Sequence, residues 1–381
     1  MSEDTGIKKA IVTIKVFGIG GGGSMALLRM AESDFLDIEL IAINTDANQL
    51  ARVEAAGVKT LQIGQSFTKG RGTGGNPAFG EAAAKNDENR IRDAMAGADL
   101  IFITAAMGGG VGTGASPVVA RIAKEQGILS VGVVTVPFTF EGQRKRKTAM
   151  SGIVKMQSQM DALIAIQNDN LLKLPDNRSM TMQEAFIEAD DILKQAVRCV
   201  AELILTTGVV NVDFADVTTI FRQSESSDAL LGIGVSQRNA VDAVRQAVAS
   251  PLIDKSLKGA RGIILNITAG ETLPLYDVNE ATQFIYSQAD KNANIIFGAV
   301  INDEMGESVQ ATIIATDFEG SMALKAPTPE TPKTAETVQQ GFNWETPSFM
   351  ARPTPPKPNG NAFALPAFKL TGADDEGDGE Q

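Results

Sequence analysis

The chain of 381 residues contains no histidine and a single cysteine. Without histidine there is no Ser-His-Asp hydrolysis, no Cys-His chemistry and little scope for zinc, so carboxylates, backbone amides and bound cations are the catalytic equipment available. Cys199 cannot close an internal disulfide, and its apolar neighbours at helical spacing predict a buried, inert thiol. Basic charge is also short: 34 Lys and Arg face 46 Asp and Glu, a net charge of −12. That leaves no surplus to displace counterions from a phosphate backbone, which excludes a general nucleic-acid binder. No uninterrupted apolar run approaches the roughly 20 residues that span a bilayer. The start, Met1 to Lys9, is polar without an apolar signal core, so a cytoplasmic protein with no direct membrane insertion is expected.

What is present is ordinary globular material, 43% hydrophobic and 21% charged, long enough for two or three folding units. After a short N-terminus (1–10), expected to be flexible, apolar runs alternate with polar or Gly-rich breaks. Strands are expected at Ile11–Phe17, Ile38–Ile43, Thr60–Ile63, Leu100–Thr104, Leu129–Val136 and Leu163–Ile166. They are short, apolar and β-branched, as strands covered on both faces are. Residues 11–178 therefore predict an α/β domain with a doubly wound parallel sheet. A long central helix (179–208) follows: Phe186, Ala189, Leu193, Ala196, Val200 and Ile204 recur at helical spacing, and Gly208 is placed to end it. Residues 209–318 predict a second, smaller α+β domain, with a helix near Val235–Val248 and strands at Gly262–Thr268, Ile295–Ile301 and Val309–Thr316.

Beyond Phe318 the composition changes. Nine of the 15 prolines fall after Ser321, and 319–381 predicts a disordered linker. Within it Phe363 to Leu370 is an apolar island, read as a docking peptide, and it is followed by the acidic run Asp374-Asp375-Glu376. Trp344, the only tryptophan, lies in the same stretch.

Two glycine runs carry the chemistry. Gly18-Ile19-Gly20-Gly21-Gly22-Gly23-Ser24 follows the first strand and precedes a helical stretch, so its amides can approach a phosphate at a helix N-terminus. Gly18, Gly20 and Gly23 also fit G-x-G-x-x-G, and on this motif a dinucleotide-dependent oxidoreductase, with Asp46 on a ribose hydroxyl, stays open. The second run, Gly108-Gly109-Gly110-Val111-Gly112-Thr113-Gly114, follows strand Leu100–Thr104 and precedes a helix expected at Pro117–Gln126. Two amide loops on one sheet edge suit a polyphosphate better than a single pyrophosphate cradle. No G-x-x-x-x-G-K-[ST] occurs, which excludes a P-loop.

Gly108 to Gly114 resembles the tubulin signature. Together with Asn44-Thr45-Asp46, Gly70 to Pro77, Pro137 to Gly142, Asn168-Asp169, Asn211 to Asp216 and Asn294 to Ala299, it makes the chain similar to the FtsZ family, the bacterial cell-division relatives of tubulin. The similarity runs from about Ile11 to Phe318. The resemblance implies a polymerising GTPase that forms head-to-tail filaments at the mid-cell division ring. It would convert GTP to GDP with Mg²⁺ held mainly by phosphates and water, and membrane-tethering and regulatory division proteins would meet its C-terminal peptide.

By the family pattern Gly20, Gly21, Gly22, Gly23, Ser24 and Met25 cradle phosphates, as do Gly108, Gly109, Gly110, Val111, Gly112, Thr113 and Gly114. Asn44, Thr45, Asp46 and Ala47, with Gly72, Thr73, Gly74, Gly75 and Asn76, line the γ-phosphate and its Mg²⁺. Glu141 meets the ribose, Lys145 the nucleotide, and Asn168, Phe186 and Asp190 the guanine; Asn211, Asp213 and Asp216 are catalytic. Phe186 and Asp190 stand one helical turn apart, so a ring could stack on a base whose N1 and N2 hydrogens the carboxylate accepts. On the helix alone Phe186 reads as an ordinary core aromatic.

Three positions depart from the family. Met25 stands where Asn is usual, Val111 where Thr is, and Lys145 where Arg is, each removing or weakening a polar contact. The expectation is weaker nucleotide binding or slower turnover. Distance supplies a further one: Asp190 and Gly208 are 18 helical steps apart, roughly 27 Å at 1.5 Å each. Asp213 and Asp216 then lie beyond reach of their own subunit's phosphates, and a head-to-tail neighbour would have to bring them. The plainer reading is that these acids cap the next helix. A structural filament that binds GTP with little turnover also stays open.

Overall fold

The computed structural model describes residues 12–318, apart from 34, 37, 174–178, 206–209, 211, 225–226, 254–256, 272 and the side chain of Glu304. The N-terminus (1–10), Gly208, Asn211, Trp344, the linker 319–381 and its peptide 363–370 lie outside the described residues.

The first half runs β1 (Ile14–Ile19), α1 (Gly20–Ala31), β2 (Glu39–Asn44), α2 (Ala47–Glu54), β3 (Lys59–Gln62), α3 (Gln65–Thr68), α4 (Pro77–Asn86) and α5 (Glu88–Met95). It continues with β4 (Leu100–Ala106), α6 (Val111–Glu125), β5 (Leu129–Val136), α7 (Gln143–Gln157), β6 (Ala162–Gln167) and α8 (Asn168–Leu171). The long helix α9 (Met182–Leu205) leads to α10 (Phe214–Gln223), β7 (Asp228–Ser236), α11 (Ala240–Val248), β8 (Ala260–Ala269), α12 (Leu275–Gln288), β9 (Asn294–Ile301) and β10 (Val309–Phe318).

All ten strands join one sheet in the order β3-β2-β1-β4-β5-β6-β7-β10-β8-β9. From β3 to β6 every pairing is parallel. β7 continues the sheet through two pairs with β6, Leu163 to Asp228 and Ile164 to Ala229. Antiparallel β10 then sits between β7 and β8.

The doubly wound expectation holds, and β4 shows why. Leu100 and Phe102 belong to the core beneath α1 and α9, whereas Ile101, Ile103 and Ala105 belong to the opposite core beneath α4, α6 and α7. Alternate side chains are buried on opposite faces, which is how a continuous apolar run becomes a covered strand. A third core joins α11 and α12 to β8 and β10 through residues such as Val244, Ile285, Leu265 and Ile313.

Helix α9 starts on a capping box: Thr181 Oγ1 accepts from Glu184 N at 3.2 Å and Glu184 Oε2 accepts from Thr181 N at 2.6 Å. Its buried stripe includes Ala189, Ile192, Leu193, Ala196, Val200 and Leu203. Arg198 and Glu202 pair at 2.6 Å on its more exposed side.

Three expectations are corrected. The helix expected from Val235 begins at Ala240, where Asn239 Oδ1 accepts from Asp242 N at 2.7 Å. The preceding residues form strand β7, whose apolar run is interrupted by Gly232 and Gly234. Those glycines are packing devices, since a Cβ on either would strike the backbone of α11. The glycine runs, read as loops, are in fact the first turns of helices: α1 starts at Gly20, and α6 at Val111 rather than Pro117. Glycine disfavours a helix by about 1 kcal/mol, and here the close approach of neighbouring backbone outweighs that preference.

Candidate functional site

The site lies at the carboxyl edge of the parallel strands, where open sheets place their ligands. Helices α1 and α6 begin there side by side. Gly20 has φ +72°, and a Cβ on it would lie 2.7 Å from Gly112 N, so the two glycine turns touch without side chains between them. Thr113 Oγ1 accepts from Gly108 N at 2.8 Å and fixes the second turn from behind.

The first N–H groups of a helix have no intrahelical partner, and the macrodipole leaves them positive. Neither α1 nor α6 carries an acid in its first turn to offset that field. Both helices open onto a cleft of about 330 Å³. Gly21, Gly22, Gly109, Gly110, Val111 and Gly112 line one side, and Asn44, Asp46 and Gly72 to Gly75 another; Glu141 and Lys145 also line it. A concave patch of bare amides is what a polyphosphate requires.

Several expected side chains are committed to the protein itself. Asp46 N-caps α2, its Oδ1 accepting from Asn48 N at 3.0 Å and Gln49 N at 3.2 Å. Asn76 N-caps α4 through Ala78 N at 3.0 Å, with Pro77 at the first helical position. Glu141 Oε1 accepts from Phe138 N at 3.0 Å and its Oε2 pairs with Lys145 at 3.1 Å.

Beside the cleft, three aromatic rings meet. Phe138 and Phe140 stack at 5.0 Å, and Phe186 on α9 approaches edge-on at 5.6 Å and 6.5 Å. Phe138 is buried, but Phe140 and Phe186 are 60% and 39% exposed, so Phe186 is not the ordinary core aromatic its helix alone suggests. Asp169 pins this corner by accepting from Thr139 N at 2.8 Å and pairing with Arg146 at 3.0 Å.

One turn after Phe186, Asp190 accepts from Arg29 Nε of α1 at 2.9 Å through Oδ2. Burial pushes its carboxyl up from the ordinary aspartate value, against the opposing pull of Arg29. Asn168, Ser24 and Thr45 are buried, yet Asn168 Oδ1, Ser24 Oγ and Thr45 Oγ1 have no protein partner. Unpartnered buried polar atoms are uncommon, and a polar ligand would supply what these lack.

Asp213 and Asp216 do not join this group. Both are exposed at the start of α10. Asp213 Oδ1 caps that helix through Ala215 N at a long 3.4 Å, and no cap is formed by Asp216. The other end of α10 is anchored away from the cleft: Arg222 Nη2 donates at 3.0 Å to Gly127 O, which follows the far end of α6.

The substituted positions have settled into the fold. Met25 packs against the α9-side core, Val111 is buried in the opposite one, and Lys145 pairs with Glu141. Sequence reasoning missed Arg29 and Gln49, the latter a lining residue of the cleft. Arginine and glutamine in amphipathic helices read as solvated surface, and no local signal distinguishes these two.

Comparison with known proteins agrees with this geometry. Residues 13–176 match the model of the Tubulin/FtsZ family GTPase domain, and residues 227–319 that of the FtsZ family C-terminal domain. Among solved structures, an FtsZ dimer from M. jannaschii shares 38% identity at a TM-score of 0.76, covering 81% of this chain and 89% of that one. A point mutant of M. jannaschii FtsZ shares 39% identity, also at 0.76, over 81% and 91% of the two chains. CetZ2 from Haloferax volcanii has the same fold at 21% identity and a TM-score of 0.68, covering 83% of this chain and 96% of its own. These matches leave the oxidoreductase alternative without support. On identity, coverage and architecture together, the chain belongs to the FtsZ family of tubulin-like GTPases.

Proposed function

We propose that this protein binds GTP in the cleft between α1 and α6 and hydrolyses it only when a second copy, docked head to tail, brings Asp213 and Asp216 to the phosphates. The observation that carries this reading is the separation of the two halves of the chemistry. From Asp190 to Leu205 the helix α9 spans 15 steps, about 22 Å. Leu203 near its end packs beneath Gly298 of β9, and Val210 bridges to Ala299 of the same strand. The acids follow from there, on the helix whose other end is bonded to Gly127. Groups that orient a water on a phosphate must come within hydrogen-bond reach of it.

Self-association has support of its own. The M. jannaschii relative is described as a dimer, and the CetZ2 neighbour as a GTPγS-bound protofilament. A heterologous contact of this kind propagates into a filament unless its rotation closes a ring. We propose the division ring at mid-cell, with adaptor proteins on the C-terminal peptide, as its setting.

Among the described residues no group of three or more acidic or cysteine side chains could hold a metal. Mg²⁺ would be held by the phosphates and water, near Asp46 and Asn44, neutralising phosphate charge; it is a cation that keeps several waters and needs few carboxylates.

Phosphate release per subunit against protein concentration tests the shared site. The rate should rise above a threshold concentration and fall away in dilute monomer; a rate per subunit independent of dilution overturns the reading. A slow or non-hydrolysing filament is the second reading, favoured by Met25, Val111 and Lys145, and turnover near zero at every concentration would select it.

A further inference from the structure

We infer that Gln49 is the residue that distinguishes a nucleoside triphosphate from a diphosphate in this cleft, by donating from its carboxamide nitrogen to the terminal phosphate. The inference rests on the nucleotide reading above and adds a residue to it.

The orientation of Gln49 follows from a chain of hydrogen bonds whose first member cannot be reversed. The backbone N–H of Thr45 can only donate, and it donates to Asn44 Oδ1 at 2.8 Å. Asn44 is buried, with its amide nitrogen turned to Gln49 Oε1 at 2.9 Å. That nitrogen can only donate as well, so Gln49 Oε1 is the acceptor and its Nε2 is the group left over. An amide whose oxygen is fixed in this way has one orientation, set by the network. Among the described residues Nε2 has no hydrogen-bond partner.

Position completes the case. Gln49 is exposed on α2 and lines the cleft together with Asp46, Gly72 to Gly75 and Gly109. Its carboxamide lies over the first turn of α1: a Cβ on Gly21 would stand 2.8 Å from Oε1 and 3.7 Å from Nε2. Gly21 is thus also the space into which this side chain fits. The backbone N–H of Gln49 is tied to Asp46 at 3.2 Å, which holds the base of the side chain at the cleft wall. A side-chain amide donor beside bare backbone amides extends the anion cradle on the side away from the aromatic corner. A ligand anchored by its base at Asp190 and Phe186 would reach that side with its last phosphate.

The test compares three proteins, the wild type, Gln49→Ala and Gln49→Glu, by the affinity of each full chain for fluorescent GDP and for a slowly hydrolysed GTP analogue. Losing a hydrogen bond to a charged group weakens binding by about tenfold or more. The Ala variant should bind the GTP analogue about tenfold more weakly and GDP within about twofold of wild type. The Glu variant keeps an oxygen for Asn44 but has no donor and adds a negative charge. It should lose more GTP affinity than Ala does, again sparing GDP, whereas a merely structural role for the Asn44 contact predicts that Glu does better. Unchanged affinity for both ligands, or equal losses for both, overturns the assignment. A wild-type chain that binds neither nucleotide overturns the cleft reading itself, and Gln49 with it.

Discussion

Arg29 on α1 and Asp190 on α9 face each other at 2.9 Å, so the helix that opens the proposed phosphate cradle is tied to the helix that carries the proposed base contact. Arg29 occupies Oδ2 and leaves the other oxygen outside this pair. Because guanine would donate to the carboxylate, the acid must be ionised to hold it. Burial has raised the proton affinity of Asp190, so protonation sets in at a higher pH than for an exposed aspartate. Guanine-nucleotide affinity should therefore weaken on acidification before ordinary aspartates near pH ~4 titrate, the carboxylate form prevailing above the raised value and its contribution disappearing below it. In Asp190→Asn, affinity should drop about tenfold or more, the preference for guanine over adenine should collapse, and the acid-side weakening should vanish. Titrating labelled GDP across pH with both proteins checks this.

Asp213 caps α10, so replacing it by alanine would mix a chemical loss with a helix-end loss of about 1 kcal/mol. Asparagine caps as well as aspartate but carries no charge. Asp213→Asn should bind GTP at wild-type affinity, unfold at nearly the wild-type temperature, and release phosphate at a small fraction of the wild-type rate. Mixed with wild type it should slow the whole population, since each defective copy spoils the site of its neighbour. Wild-type turnover in the purified variant would remove the acid from the chemistry.

Met25, Val111 and Lys145 are packed or paired in this fold, yet Val111 and Lys145 line the cleft and Met25 follows the first glycine turn. The combined variant Met25→Asn, Val111→Thr, Lys145→Arg should gain nucleotide affinity, each restored hydrogen bond counting for about 1 kcal/mol. It should lose thermal stability, because Met25 and Val111 contribute apolar packing. Dissociation constant and unfolding temperature measured on one preparation test both halves; no change in either would show that the three residues are neutral replacements.

Cys199 is buried, and burial pushes its thiol up, far from the thiolate that reacts. The native chain should resist alkylation by iodoacetamide over hours and take one label per chain once unfolded. Rapid labelling of native protein at neutral pH would mean that α9 opens from the sheet far more often than its packing implies.

Much of the fold is legible in the residues alone, for reasons that differ by element. Leu129–Val136 can be placed to the residue because a β-branched run of strand length stands between Gly127 and Pro137, which punctuate it at both ends. Strand β7 escapes because what makes it fit, the missing side chains of Gly232 and Gly234 beneath α11, is what weakens its local pattern. At the site, motifs find the glycine turns but mistake them for loops, since helix propensity cannot register a neighbouring backbone. Asp46 and Asn76 are recognisable, while their use as helix caps depends on where α2 and α4 begin. Arg29 and Gln49 give no local sign because their partners, Asp190 and Asn44, become neighbours only through the fold.

The sheet narrows to two residue pairs between β6 and β7, and there the ten strands resemble a beam with a notch cut at mid-span. A pull along a string of such subunits would concentrate bending at Leu163 and Ile164, with α9 as the splint across the gap. Stiffness of the assembled string would then be set less by its joints than by how firmly one helix lies in the groove of each link.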